Sequence, residues 1–172
     1  LASYNFLDAV REKWPDRVWR FTKSRGAIRP ALFAEAVALF SGMNIARHLT
    51  NLPAGVANAE DLAEGIRKFF AKRQGVKVEV WGPDRIEKEG MGLLFGVGKS
   101  STTGARFVHL RYRPSQAGKR KPVALVGKGV VFDTGGLDIK NTAGMRLMKK
   151  DMAGSAAMAG LCHFVSSVKL KT

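Results

Sequence analysis

Apolar positions along the chain change period several times, and each change marks an element. From Pro30, "PALFAEAVALFSGMNIARHL" sets Leu32, Ala36, Leu39, Met43 and Ala46 at helical spacing behind a proline suited to a first helical turn. A long helix over 30–49 with that stripe facing the core is expected, ended by the breaker "TNLPAG". A second helix opens at Asn58 as N-cap, with Glu60 and Asp61 in its first turn and Leu62, Ile66, Phe69 and Phe70 at apolar spacing. "VKVEVW" alternates as a half-buried strand does, and "PDRIEKEGMG" reads as a short helix stopped by glycine. "ARFVHLRYR" and "KPVALVG" read as strands, the second as a buried one ending at Gly127. "DMAGSAAMAGLCHFVSSV" is a helix dense in small residues, and "SSVKLKT" closes it and begins another strand. Upstream, a short helix is expected around 6–13. Helices alternating with strands predict an α/β fold, a mixed sheet with helices on both faces.

Composition narrows the class. With 172 residues, 45% hydrophobic and 25% charged, the chain is ordinary for a soluble globular protein. No apolar run reaches membrane-spanning length, and the opening "LASYNFLDAVREKWPD" carries acidic residues where a signal peptide is apolar. The single cysteine, Cys162, excludes an internal disulfide and fits a small buried helix residue in a reducing compartment. Charge is unusual: 29 Lys+Arg against 14 Asp+Glu give a formal +15. Such an excess attracts nucleic acid or acidic partners, but only "RYRPSQAGKRKP" (111–122) clusters, with Tyr112 as its one aromatic. A solvated hairpin loop is the favoured account, because basic loops are common and this one carries a single aromatic.

The chemistry concentrates in "PVALVGKGVVFDTGGLDIKNTAGMRLMKKDMAGSAA". Lys128, Asp133 and Lys140 follow the end of the expected strand, where α/β sheets present ligand-binding loops. Gly127, Gly129, Gly135 and Gly136 permit close backbone approach or positive φ. Asp151 begins the small-residue helix, a position the helix dipole favours in any case, and a lone aspartate in a turn is often only a cap. A phosphate loop does not fit: no Lys-Ser/Thr pair follows the second glycine, and Phe132 stands where a dinucleotide fingerprint needs its third glycine. An aspartate between strand end and helix suits a cation better. His48, His109 and His163 have no partner at metal-ligand spacing.

The run "VGKGVVFDTGGLDIK…AGMRLMKKDMAGSAA" resembles the signature of the leucyl (cytosol) aminopeptidases, a two-metal family that removes N-terminal residues from peptides. "ARHLTNLPAGVANAEDLAEGIRKF" (46–69) and "EKEGMGLLFGVGKSS" (87–101) resemble two further blocks of that family, so the likeness extends over 46–168 in order and spacing. It implies two divalent cations, Mn²⁺ or Zn²⁺, with Asp133 bridging both, Asp151 binding one, and Lys128 ligating through a neutral amine. Burial and adjacent cations would lower a lysine's pKa for that purpose. The likeness also implies that Lys140 stays charged and stabilises the oxyanion. Met148 would line the pocket for the first substrate side chain, or be a plain core methionine. Lys149 and Lys150 are expected as solvated charges.

The resemblance also sets limits. The family's second signature, "NTDAEGR", which supplies further metal ligands and an arginine, is not found in these 172 residues. Ala153 stands where the family usually has glycine, and Arg146 where it often has an acidic residue. The expected organisation is 1–29 as the tail of an N-terminal domain, 30–49 as connecting helix, and 50–172 as the first half of a catalytic domain. The fragment alone is expected to be inactive, with three ligands too few for two cations. The whole protein is expected to be a cytoplasmic, homo-hexameric enzyme acting on peptide substrates, with no membrane association. The alternative is a catalytically inactive family-derived subunit with a structural or nucleic-acid-associated role.

Overall fold

The computed structural model describes residues 29–114 and 121–170. The helix expected around 6–13, the 1–28 part of the tail and the middle of the basic loop lie outside them. Helix α1 (Pro30–Asn51) starts with proline in its first turn, as expected. Helix α2 (Ala59–Phe70) is fixed at its start by Asn58, whose Oδ1 accepts from the backbone N–H groups of Glu60 and Asp61 at 3.0 Å each. Its Leu62, Ala63, Ile66 and Phe70 are buried on one face, while Phe69 turns outward.

Strands β1 (Val76–Trp81) and β2 (Phe107–Tyr112) form an antiparallel pair in register Val76↔Tyr112 to Trp81↔Phe107. Val76, Val78, Val108 and Leu110 share the face packed on the core, and the opposite face carries an exposed ion-pair cluster around Glu79. Between the strands lie α3 (Pro83–Lys88) and α4 (Gly92–Gly98). Gly90 ends α3 at φ +72°, the left-handed conformation a helix stop takes. After β2 come the short α5 (Thr142–Met145), a 3₁₀ turn (Met148–Lys150) and α6 (Ala153–Ser167).

The core joins α2, the inner sheet face and α6. Leu62, Ile66, Phe70, Met152, Ala156 and Ala159 form its buried centre. The small residues of α6 let α1 cross it closely: a Cβ on Gly42 would meet the Gly160 carbonyl oxygen at 2.5 Å, and one on Gly160 the Gly42 oxygen at 2.4 Å. Arg73, just after α2, clasps the far end of α6 through Ser166 Oγ at 3.0 Å, the His163 carbonyl at 3.2 Å and Ser167 Oγ. A cation on the last carbonyls of a helix also suits its dipole.

Two sequence expectations are corrected. The stripe of α1 is not its core face: Leu32, Leu39 and Met43 are exposed, and Ala38 and Gly42 are buried. Close approach to α6 selects the face with the smallest side chains, and Ala46 joins it beside Gly160. Nor is "PVALV" a buried strand here. Residues 122–126 have no ladder partner among the described residues, and Val123 and Val126 are 83% and 93% exposed. A strand needs a neighbour for its backbone and a layer for its apolar face. The α/β class stands, and among the described residues its β component is a two-stranded antiparallel sheet.

Candidate metal centre and adjoining cleft

Glycine seats the site loop. A Cβ on Gly127 would lie 2.5 Å from the Gly154 carbonyl oxygen, and one on Gly154 would lie 2.9 Å from the Lys128 nitrogen. Both positions must be glycine for the 127–129 backbone to lie on the start of α6. The Ser155 N–H then donates to the Lys128 carbonyl at 2.8 Å, locking loop to helix. Gly127 thus approaches another backbone closely, where the sequence allowed for approach to a ligand.

That docking brings Lys128 to Asp151. Nζ stands 2.8 Å from Asp151 Oδ2 as an ion pair. Oδ2 is buried, and the Lys128 ammonium is the group that meets it. Lys128 itself is 57% exposed, and the contact with Asp151, followed by the field of Asp133, raises its pKa above the ordinary lysine value. The lowered pKa expected from burial is therefore not a property of the protein groups alone: this amine is exposed and flanked by carboxylates.

Further along, Gly135 and Gly136 take φ of +97° and +79° and turn the chain back on itself. The turn lets the Gly135 N–H donate to Asp133 Oδ1 at 2.8 Å, and the Lys140 N–H donate to the Thr134 carbonyl at 2.9 Å. Lys140 Nζ comes to 3.3 Å from Asp133 Oδ2. The Gly135 hydrogen bond, and then Lys140, hold the Asp133 carboxyl below its usual pKa. The result is two carboxylate–lysine pairs, Lys128–Asp151 and Lys140–Asp133, with the second carboxylate also felt by Lys128. Among the described residues no three His, Cys, Asp or Glu side chains gather as a metal site.

Beside Lys140 opens a cleft of about 440 Å³. Pro53, Phe132 and Met145 form apolar walls, and Lys140, Arg146 and Lys149 bring positive charge. Met148, half-buried on the 3₁₀ turn, is not among the lining residues. Lys149 is not simply solvated: it is half-buried, and its Nζ donates to the Asn51 carbonyl at 3.2 Å, tying the turn to the end of α1. Lys150 is exposed, as expected. The histidines lie elsewhere: His109 is exposed on β2, His48 is exposed on α1, and His163 sits on α6. Met145, Arg146 and Gly154 carried no assigned role in the sequence reading. Gly154 was legible only as one small residue among many.

Comparison with known proteins identifies the family. The model of the cytosol aminopeptidase family, catalytic domain, matches residues 44–172. A probable cytosol aminopeptidase of Chelativorans sp. (strain BNC1) is 46% identical over 140 residues, 81% of this chain and 28% of its own length. One from Aquifex aeolicus is 43% identical over 138 residues, 80% of this chain and 26% of its own length. The apo leucyl aminopeptidase from Trypanosoma cruzi superposes with TM-score 0.74 at 31% identity, covering 80% of this chain and 26% of that one. The leucine aminopeptidase LAP1 of Caenorhabditis elegans gives TM-score 0.69 at 33% identity, covering 77% and 27%. The bottromycin maturation enzyme BotP, in complex with Mn, gives TM-score 0.69 at 29% identity, covering 87% and 33%. The chain spans about a quarter of the length of the curated relatives it matches. With its signature loop folded against α6 and three quarters of its length inside the family's catalytic domain, this chain belongs to the cytosol aminopeptidase family.

Proposed function

We propose that the protein carrying this chain is a metal-dependent aminopeptidase that removes leucine-type residues from the N-termini of peptides. The supporting observation is the convergence of the two carboxylate–lysine pairs Lys128–Asp151 and Lys140–Asp133 beside the start of α6. A divalent cation between these groups would take the place that the lysine ammonium now holds against the buried Asp151 oxygen. Ionised carboxylates are acceptor-only oxygen donors suited to Mn²⁺ or Zn²⁺. On this reading Asp133, Asp151 and the neutral amine of Lys128 hold two divalent cations.

When bound, such cations supply a water nucleophile at neutral pH and an anchor for the peptide's free amine. The chain's own groups do the rest. Lys140 directs its ammonium at the scissile carbonyl and stabilises the developing oxyanion. Asp133, held by the Gly135 N–H, keeps Lys140 in position. Met148 borders the pocket for the first side chain. Three protein ligands under-fill two cations, so this chain by itself is expected to be inactive. A cytoplasmic homo-hexamer belongs to the same reading.

Hydrolysis of leucine p-nitroanilide with Mn²⁺ or Zn²⁺, by the protein at its full encoded length, tests it. Asp133→Ala and Lys140→Ala should each lower kcat by about 100-fold or more. Normal turnover in either variant would show the roles to be wrong. The +15 charge favours the alternative of an inactive, nucleic-acid-associated subunit. That alternative requires RNA or DNA affinity falling steeply with salt, and flat, weak binding removes it.

A further inference from the structure

The cleft beside Lys140 carries more positive charge than the polarisation of one carbonyl requires. Lys140, Arg146 and Lys149 line it, and no aspartate or glutamate does. Two of the three have partners: Lys140 reaches out to Asp133, and Lys149 donates to the Asn51 carbonyl. The exposed guanidinium of Arg146 makes no hydrogen bond or ion pair among the described residues. Its backbone is held, since its N–H donates to the Thr142 carbonyl at 3.2 Å at the end of α5. The cleft therefore has a fixed base and one uncommitted cationic fork. Phe132 and Met145 give it apolar walls, and about 440 Å³ lies in the range of small-molecule sites, roughly 300–1,000 Å³.

We propose that this cleft takes a carboxylate of the peptide substrate, with Arg146 as the residue that selects it. The inference rests on the aminopeptidase reading, because a Lys140 facing the scissile carbonyl makes the cleft's occupant part of the same peptide. Guanidinium matches carboxylate bidentately, which a lysine does not. The apolar walls accept the methylenes or backbone that carry the carboxylate. That group is either the C-terminus of a dipeptide or an acidic side chain in the second residue.

Two substrate pairs separate these sources in the full-length protein with Mn²⁺. Leu-Gly against Leu-Gly-NH₂ reports the C-terminal carboxylate, and Leu-Asp-NH₂ against Leu-Asn-NH₂ reports the side chain. The acidic member of at least one pair should have kcat/KM about fivefold higher, carried mainly by KM, as a partly exposed ion pair gives. Arg146→Gln should bring that ratio to about one, and Arg146→Lys should keep part of it. Lys150→Gln, on an exposed residue outside the cleft, should leave the ratio as in wild type. Ratios near one in both wild-type pairs overturn the proposal, and that comparison needs no variant. An acidic preference that survives Arg146→Gln overturns it too. In either case hydrolysis of the neutral Leu-Asn-NH₂ leaves the aminopeptidase reading standing, whereas no hydrolysis of all four peptides refutes both.

Discussion

Gly127 and Gly129 flank Lys128, and the structure assigns them opposite sensitivities to the same substitution. In Gly127→Ala the new methyl would stand 2.5 Å from the Gly154 carbonyl oxygen, 2.7 Å from its carbon and 2.8 Å from Met158 Cγ. Two of those three atoms are backbone, so loop and helix must part. Overpacking of this kind costs about 1–3 kcal/mol. Parting also strains the 2.8 Å hydrogen bond from Ser155 N–H to the Lys128 carbonyl, worth about 1 kcal/mol. The sum is a loss of about 2–4 kcal/mol. In Gly129→Ala the nearest atoms are Ser155 Cβ and Oγ at 3.5 Å, an ordinary contact, and the backbone is not left-handed. The stiffer unfolded chain then makes that variant neutral or about 0.4–1 kcal/mol more stable. Chemical denaturation of both variants, in the protein carrying this chain, measures the difference. Equal effects, or a larger loss at Gly129, would refute the seating of the site loop on α6.

Other consequences follow from the core and from α6. Phe70 is 1% exposed at the centre of the core, so Phe70→Ala should cost about 3–5 kcal/mol in a denaturation titration. Burial pushes the Cys162 thiol up to about 11, with Arg73 opposing. Its reaction with a disulfide reagent in the native protein should therefore stay slow through neutral pH and accelerate on unfolding. The His163 pKa is held below the ordinary histidine value by burial and then by Arg73, and its Nδ1 is buried without a hydrogen-bond partner among the described residues. The unfolded chain thus binds this proton more readily, so stability should decline as pH falls below about 6.5. Replacing His163 by Gln should flatten that part of the profile, and an unchanged slope would assign it to other groups.

Much of the local structure was legible because local chemistry decides it. Asn58 followed by Glu60 and Asp61 is a helix start in any setting, and the alternation of β1 survives because one face meets the core. Glycines at 135 and 136 announced a turn that only positive φ allows. The candidate site residues were named through resemblance to the family signature, and the fold brings Lys128 to Asp151 and Lys140 to Asp133. What escaped depends on partners distant in sequence. The exposed stripe of α1 looked like a core face until α6 selected the Ala38–Gly42 side. Arg73 bridges to residues more than ninety positions away, and nothing local to it signals this. "PVALV" is apolar enough for a strand, but composition does not supply the neighbouring strand that would bury it. The pairing of Gly127 with Gly154 has the same origin, because two small residues reveal a contact only when the backbones meet.

The central claim, that Asp133 and Asp151 help to hold divalent cations, is tested most directly by metal content. The full-length protein equilibrated with Mn²⁺ and freed of excess ion should retain up to two equivalents, by the two-metal reading. Asp133→Asn and Asp151→Asn preserve side-chain shape while removing the charge, and each should lose at least one equivalent with the fold intact by circular dichroism. Wild-type stoichiometry and affinity in both variants would contradict the account.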